Sequence, residues 1–518
     1  MQRTYSLKKI IVFGVLVIAL VGVIAYLFLK PKTPSDLGPT NQDNLFPFGN
    51  QTPVDQTGGI GIEPTADAPI TSPLERASAE RLRQITNYPV SGFGSTVIQK
   101  TISEPKLDES TGELTLVSSQ VPATLLRWNG KRNGLIVEAE ITRDSIIVTQ
   151  KSTNEIPLVQ ESIVANQAQT FIFRLFNEES RVINSLSGTL PSQKTLTYCT
   201  TTFTTDLSNG SRGEMVKALQ AYLGNKLTKT ITVDGSYGKG TASLVTNVQK
   251  VLGVPETGII DEATRTAINA DCTLVQKTFA EEKNKPQLLT LSFLEDNILR
   301  AVMSPDTLQL FSIKKDGPGI AGIITDASGR TPRRIFTSPF TEWNPQWISK
   351  TTIALSTLPS QKISGYLYFL DIASGELKKI LGPIAGLTTN VNPTGTTAII
   401  SQSTDRGITT FIAQLNKGQQ TALGLQTFPE KCVWKNDIEV LCAVPQQIPS
   451  AEYPDAWYQG TQVFSDVLWS INTETNATEL LLTPQIDFDM ILPSISSNGE
   501  YFFFINKRDG TLWSYRLI

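Results

Sequence analysis

The sequence predicts a mainly β protein: a β-propeller of approximately seven blades, interrupted by a small three-helix module and preceded by one N-terminal transmembrane helix. Three observations predict it. Ile10 to Leu29 is an uncharged, proline-free apolar run, long enough to cross a bilayer as a helix of about 20 residues. Short alternating strands recur through the second half of the chain at intervals of about 42 to 62 residues, a four-stranded propeller period. Between 199 and 272 the apolar spacing turns helical, and a cysteine stands at each end.

Residues 1–9 form a short arm carrying Arg3, Lys8 and Lys9, while Lys30 and Lys32 follow the apolar run. This slight bias, with the shortness of the arm, favours a cytoplasmic N-terminus. A cleaved signal peptide would show an apolar region of about 7 to 15 residues and a small-residue cleavage site. Neither is seen, so 10–29 is expected to be a retained signal anchor. Residues 30–85 are proline-rich at their start and lack apolar periodicity, which makes them a flexible linker. A coil of about 45 residues spans roughly 35 to 40 Å, enough to carry a domain off a membrane.

Residues 86–198 read as the first propeller blades. In 199–272, Val216, Leu219 and Leu223 make one amphipathic stripe, with Ser211 placed to cap it. Leu244, Val245 and Val248 make a second, with Thr241 near its first turn. A third helix starts at Asp261, where acids suit the positive end. So small a bundle has a thin core and needs a staple, which Cys199 and Cys272 would supply. Residues 273–285 return as a linker, and 286–518 hold the remaining blades. Pro345–Lys350 leading to Ile353–Leu355, Asn392–Gly395 leading to Ala398–Ile400, Cys432–Val444 and Pro493–Ile505 are recurrences of one unit. Five units follow the module and two precede it, so the module is expected between the second and third blades. Cys432 and Cys442 flank a hairpin turn and are expected to pair. Two logical cysteine pairs point to an oxidising, extracytoplasmic location.

The order Leu207, Gly210, Gly213, Val216, Leu219-Gln220, Leu223, Asp234-Gly235, Tyr237-Gly238, Thr241, Val248-Gln249, Gly253, Gly258, Asp261, Thr264 and Ile268 closely resembles the peptidoglycan-binding-like domain found beside many cell-wall hydrolases. The resemblance implies an extracytoplasmic protein that touches peptidoglycan. By that analogy the candidate ligand-binding residues are Asp234, Gly235, Tyr237, Gly238 and Thr241; the alternative is that they only shape the turn and cap a helix. Leu244 and Val248 depart from the common alanine and phenylalanine of the pattern but stay apolar. The strand repeats resemble TolB-like and WD40-like propellers, without a clean WD dipeptide.

The sequence contains no histidine. That removes Ser-His and Cys-His nucleophilic pairs and the zinc-peptidase motifs. No phosphate-binding glycine loop is present, and the net charge of −3 with no basic cluster beyond the membrane flanks argues against nucleic acid. No catalytic residue, metal ligand or cofactor is expected, and no enzyme activity. The expected protein is a membrane-anchored envelope component that binds peptidoglycan without cutting it and offers its propeller to a protein partner. One alternative is a propeller scaffold or sensor whose module is only structural. A weaker one is a carboxylate-dependent glycosidase acting on wall glycan, which needs only two acids. The aromatics of the 446–463 insertion, Tyr453, Trp457 and Tyr458, suit either sugar stacking or local packing, with packing favoured.

Overall fold

A computed structural model describes residues 81–107, 114–165, 167–177, 182–192, 196–294, 297–405 and 407–517. Seven four-stranded antiparallel sheets make up the β portion, and they are the seven blades of a propeller. In chain order the blades span 90–150, 159–189 with 290–293, 298–338, 343–385, 388–422, 432–482, and 490–516 with 82–84. The first strands of neighbouring blades lie side by side. A Cβ added to Gly92 would strike Ser162, and one on Gly94 would strike Val164, so only glycine permits that approach.

Strand position explains strand composition. Second strands are packed on both faces, as in Thr352–Thr357, and Tyr501–Asn506 is apolar almost throughout. Fourth strands lie at the rim; Gln419–Ala422 is exposed along its length. Between blades, apolar side chains from two sheets form a shared core, such as Phe311, Ile324, Trp347 and Leu355. Leu441, Leu468, Phe502 and Phe504 build another. Each blade therefore buries its faces only against its neighbours, and a ring is the arrangement that leaves none uncovered.

The ring closes with both ends of the described chain in one sheet. Leu82–Gln84 pairs with Leu512–Arg516 in the register Leu82↔Tyr515, Arg83↔Ser514 and Gln84↔Trp513. These three residues lie inside 30–85, read from sequence as flexible linker; a three-residue strand has too little periodicity to register there. The expected anchor at 10–29 falls outside the described residues. Among the described residues no helix is long and apolar enough to cross a membrane.

The module holds three helices: α1 (Glu214–Lys226), α2 (Lys239–Leu252) and α3 (Glu262–Asn284). Its position corrects the expectation. It enters not between two blades but between the third strand (Val182–Thr189) and fourth strand (Thr290–Phe293) of the second blade. The fourth strand alone is too short to identify, so the sequence repeat could not reveal the split. The 273–285 stretch is likewise no linker, because α3 runs through it to Asn284.

Candidate functional site

Val216, Leu219, Leu223, Val245, Val248, Ile260 and Ile268 form the module's core, the apolar stripes turned inward. Asp261 caps α3 as expected, accepting from Thr264 N at 2.9 Å. That bond and the Thr264 hydroxyl hold its carboxyl below the usual carboxylate range. Ser211 does not cap α1: Gly213 is the cap, without a side-chain bond, and Ser211 Oγ accepts from Ser208 N instead. Cys199 and Cys272 are bonded across the neck, with Cα atoms 5.0 Å apart. Cys432 and Cys442 are also bonded, directly opposite in adjacent strands.

Two buried glutamines organise the loops, and the sequence showed them only as members of the pattern. Gln220 on α1 accepts from Gly235 N at 2.8 Å and donates to Asp234 Oδ1 and Ser236 O. Gln249 on α2 repeats the device. It accepts from Gly258 N at 2.9 Å and donates to Ile259 O, Thr257 Oγ1 and Thr264 Oγ1. Gly235 and Gly258 both sit at positive φ, 75° and 66°, a conformation that favours glycine. A buried amide can serve one donor and one acceptor of the turn at once, and each helix carries its Gln directly after a core residue, Leu219 or Val248.

The five candidate ligand residues divide. Asp234 is exposed on the turn; hydrogen bonds from the Gln220 side chain, then from Ser236 N, hold its carboxyl below the usual range. Gly238 is half-buried at the start of α2. Tyr237 is 2% exposed, donates to Gly258 O at 2.8 Å, and burial pushes its phenol up to about 12. Gly235 is buried. Thr241 is buried and donates to Ser236 O at 3.3 Å. The group is thus a turn whose exposed chemistry is Asp234, with Tyr237 and Thr241 turned inward beneath it. Among the described residues no cluster of acids and cysteines has the makings of a metal site.

The insertion at 446–463 packs, as favoured from sequence. Tyr453 and Trp457 are fully buried. Trp457, on the short helix α4 (Asp455–Tyr458), donates to Asp489 at 3.1 Å and stacks on Phe428 with ring centres 4.9 Å apart. Lys431 Nζ lies beneath it, fully buried between Asp466 (2.6 Å) and Asp489 (2.5 Å). Burial pushes Asp466 up to about 6.

Residues 212–268 match the protein family described as "Putative peptidoglycan binding domain", coinciding with the helical module. No curated protein matches the chain. Among solved structures, TolB from Acinetobacter baumannii is 13% identical at a TM-score of 0.29, covering 44% of this chain and 59% of its own. The β-propeller domain of the Trilobed protease from Pyrococcus furiosus is 10% identical at 0.38, covering 76% and 91%. Oligogalacturonate lyase from Vibrio parahaemolyticus is 9% identical at 0.40, covering 82% and 98%. The chain thus spans just over half the length of the TolB it resembles. At these values the seven-bladed ring rests on this chain's own strand pairings. This is a seven-bladed β-propeller protein that carries a peptidoglycan-binding domain inside one blade.

Proposed function

We propose that the protein is a cell-envelope component, held in the membrane by 10–29, that attaches to peptidoglycan through the helical module without cleaving it. The match at 212–268, falling on a complete and disulfide-closed fold, is the observation that carries this reading. Recognition would be passive. Asp234 and the half-buried backbone of Gly238 would meet glycan or stem peptide on a turn fixed by Gln220, so little ordering cost remains at binding. The propeller would present a rigid surface to a protein partner. The want of histidine excludes the familiar metal-dependent wall hydrolases, which supports a non-catalytic role.

A second reading has its own support. Tyr237 and Thr241 spend their hydroxyls inside the module, as they would if it served only as structure. Co-sedimentation with insoluble peptidoglycan separates the two. The full-length chain in detergent should pellet with the wall, and a form lacking 200–271 should stay in solution. Equal pelleting of both forms, or of neither, removes the module as the wall contact. Release of soluble glycan during the assay would refute the non-catalytic part.

A further inference from the structure

The ring has two distinct ends. Each blade's strands alternate in direction, so first and third strands stop at the same end, where fourth strands begin. Three features collect there. The module interrupts the second blade between its third and fourth strands. The long hairpin Val90–Leu107 with Leu114–Gly130 runs past its sheet, because the third strand pairs only as far as Thr124. The chain also comes into the propeller at Leu82, the start of a fourth strand. The opposite end holds the turns between second and third strands, among them the 446–463 insertion.

That insertion is fixed over its end of the ring. Ser403 Oγ donates to Tyr453 O at 2.5 Å, and Gln361 N donates to Asp455 Oδ2 at 2.8 Å. It therefore reaches from the sixth blade to the fifth and fourth. Tyr458 donates to Glu430 Oε1 and lies within electrostatic reach of Arg300, on the first strand of the third blade. The charged groups around this centre come from five segments: the hairpin that carries both Glu161 and Arg174, then Arg300, Glu342, Glu430 and Asp455. Carboxylates outnumber guanidiniums by two. Glu430 Oε2 is shielded from solvent and has no hydrogen-bond partner among the described residues. An acceptor so placed is costly unless a donor reaches it.

Apolar groups stand beside Glu342. Leu358 N donates to Glu342 O, which brings the Ser360–Ile363 turn next to that residue. Ile363 is 63% exposed and Phe340 43%. Excess negative charge, an unmet acceptor and flanking apolar side chains suit one occupant. We propose that the insertion-bearing end is the docking surface for a partner polypeptide that presents a lysine or arginine between apolar residues. The basic side chain meets the exposed Glu342, with the charge of the buried Glu430 carboxyl acting on it from behind, while its neighbours cover Phe340 and Ile363. The surface is preformed, since Trp457 and Lys431 hold the insertion from below.

The test uses the full-length chain and a short fluorescent peptide with one lysine between leucines, followed by anisotropy at low and high salt. Binding should weaken with salt and fall about tenfold or more in Glu342→Lys and in Glu430→Gln. It should persist in Asp234→Asn, which alters only the module. Glu342 is exposed, so its variant reports binding without disturbing the fold. A peptide with glutamate in place of lysine should not bind. Absence of binding by the lysine peptide, or affinity unchanged in Glu342→Lys, overturns the proposal. Neither result bears on wall attachment, which the co-sedimentation reads separately.

Discussion

Replacing Gln249 by leucine tests whether the buried amide holds the second loop of the module. Leucine keeps the apolar stem but removes one acceptor and the donors. Gly258 N, buried, is then left with no partner, at a cost of about 1–3 kcal/mol. The donations to Ile259 O and Thr264 Oγ1 also go. Each such bond nets about 0.5–1.5 kcal/mol, but Thr257 still reaches Ile259 O at 3.3 Å and Thr264 still donates to Asp261. The expected loss is therefore roughly 2–4 kcal/mol. Native-state hydrogen exchange of the α2 amides in the whole chain measures it. Opening should become roughly 30 to 900 times more frequent, while amides of Tyr501–Asn506 keep their protection. A loss under about 1 kcal/mol, or one spread equally over the propeller, would refute the reasoning.

Other outcomes follow from the same geometry. Converting Cys199 and Cys272 to serine should lower module stability by about 4 kcal/mol on the chain-entropy estimate, read by the same exchange experiment; an unchanged module would mean that its core alone suffices. Lys431→Met should destabilise the sixth and seventh blades by roughly 3–5 kcal/mol, because Asp466 and Asp489 lose the ammonium that bonds them both. Urea unfolding followed by Trp457 fluorescence would show it, and an unshifted midpoint would count against the buried ion triad. Asp261 has a depressed folded pKa, so its contribution is full above the unfolded value and is lost as pH falls through the folded one. Acid titration should accordingly loosen the start of α3, and Asp261→Asn should remove that pH dependence. Burial raises Glu430, so its ionisation opposes folding as pH rises. Glu430→Gln should raise the neutral-pH melting temperature, and a fall would contradict the uncompensated carboxyl.

Some of this protein was legible in the residues alone. Spacing at 3.6 residues located α1 and α2, since only one face of a small helix can be buried. Asp261 announced a helix start because an acid satisfies free N–H groups there. The flanking cysteines and the repeated strand unit gave the disulfides and a blade number that the sheets reproduce. These are local signals, carried within a few residues of each other.

What needed the tertiary structure was non-local. Leu82–Gln84 is a strand only because Leu512–Arg516 waits beside it, more than four hundred residues away. The split second blade is visible only when Val182–Thr189 and Thr290–Phe293 are seen to pair across the module. Tyr237 and Thr241 read as ligand candidates by resemblance, but the folded loop covers them and consumes their hydroxyls. Sequence spacing fixes which residues alternate and which share a helix face; it does not fix which distant edge, acceptor or charge will complete them. The charged centre around Arg300 and Glu430 exists for the same reason, assembled from five separate segments by the closing of the ring.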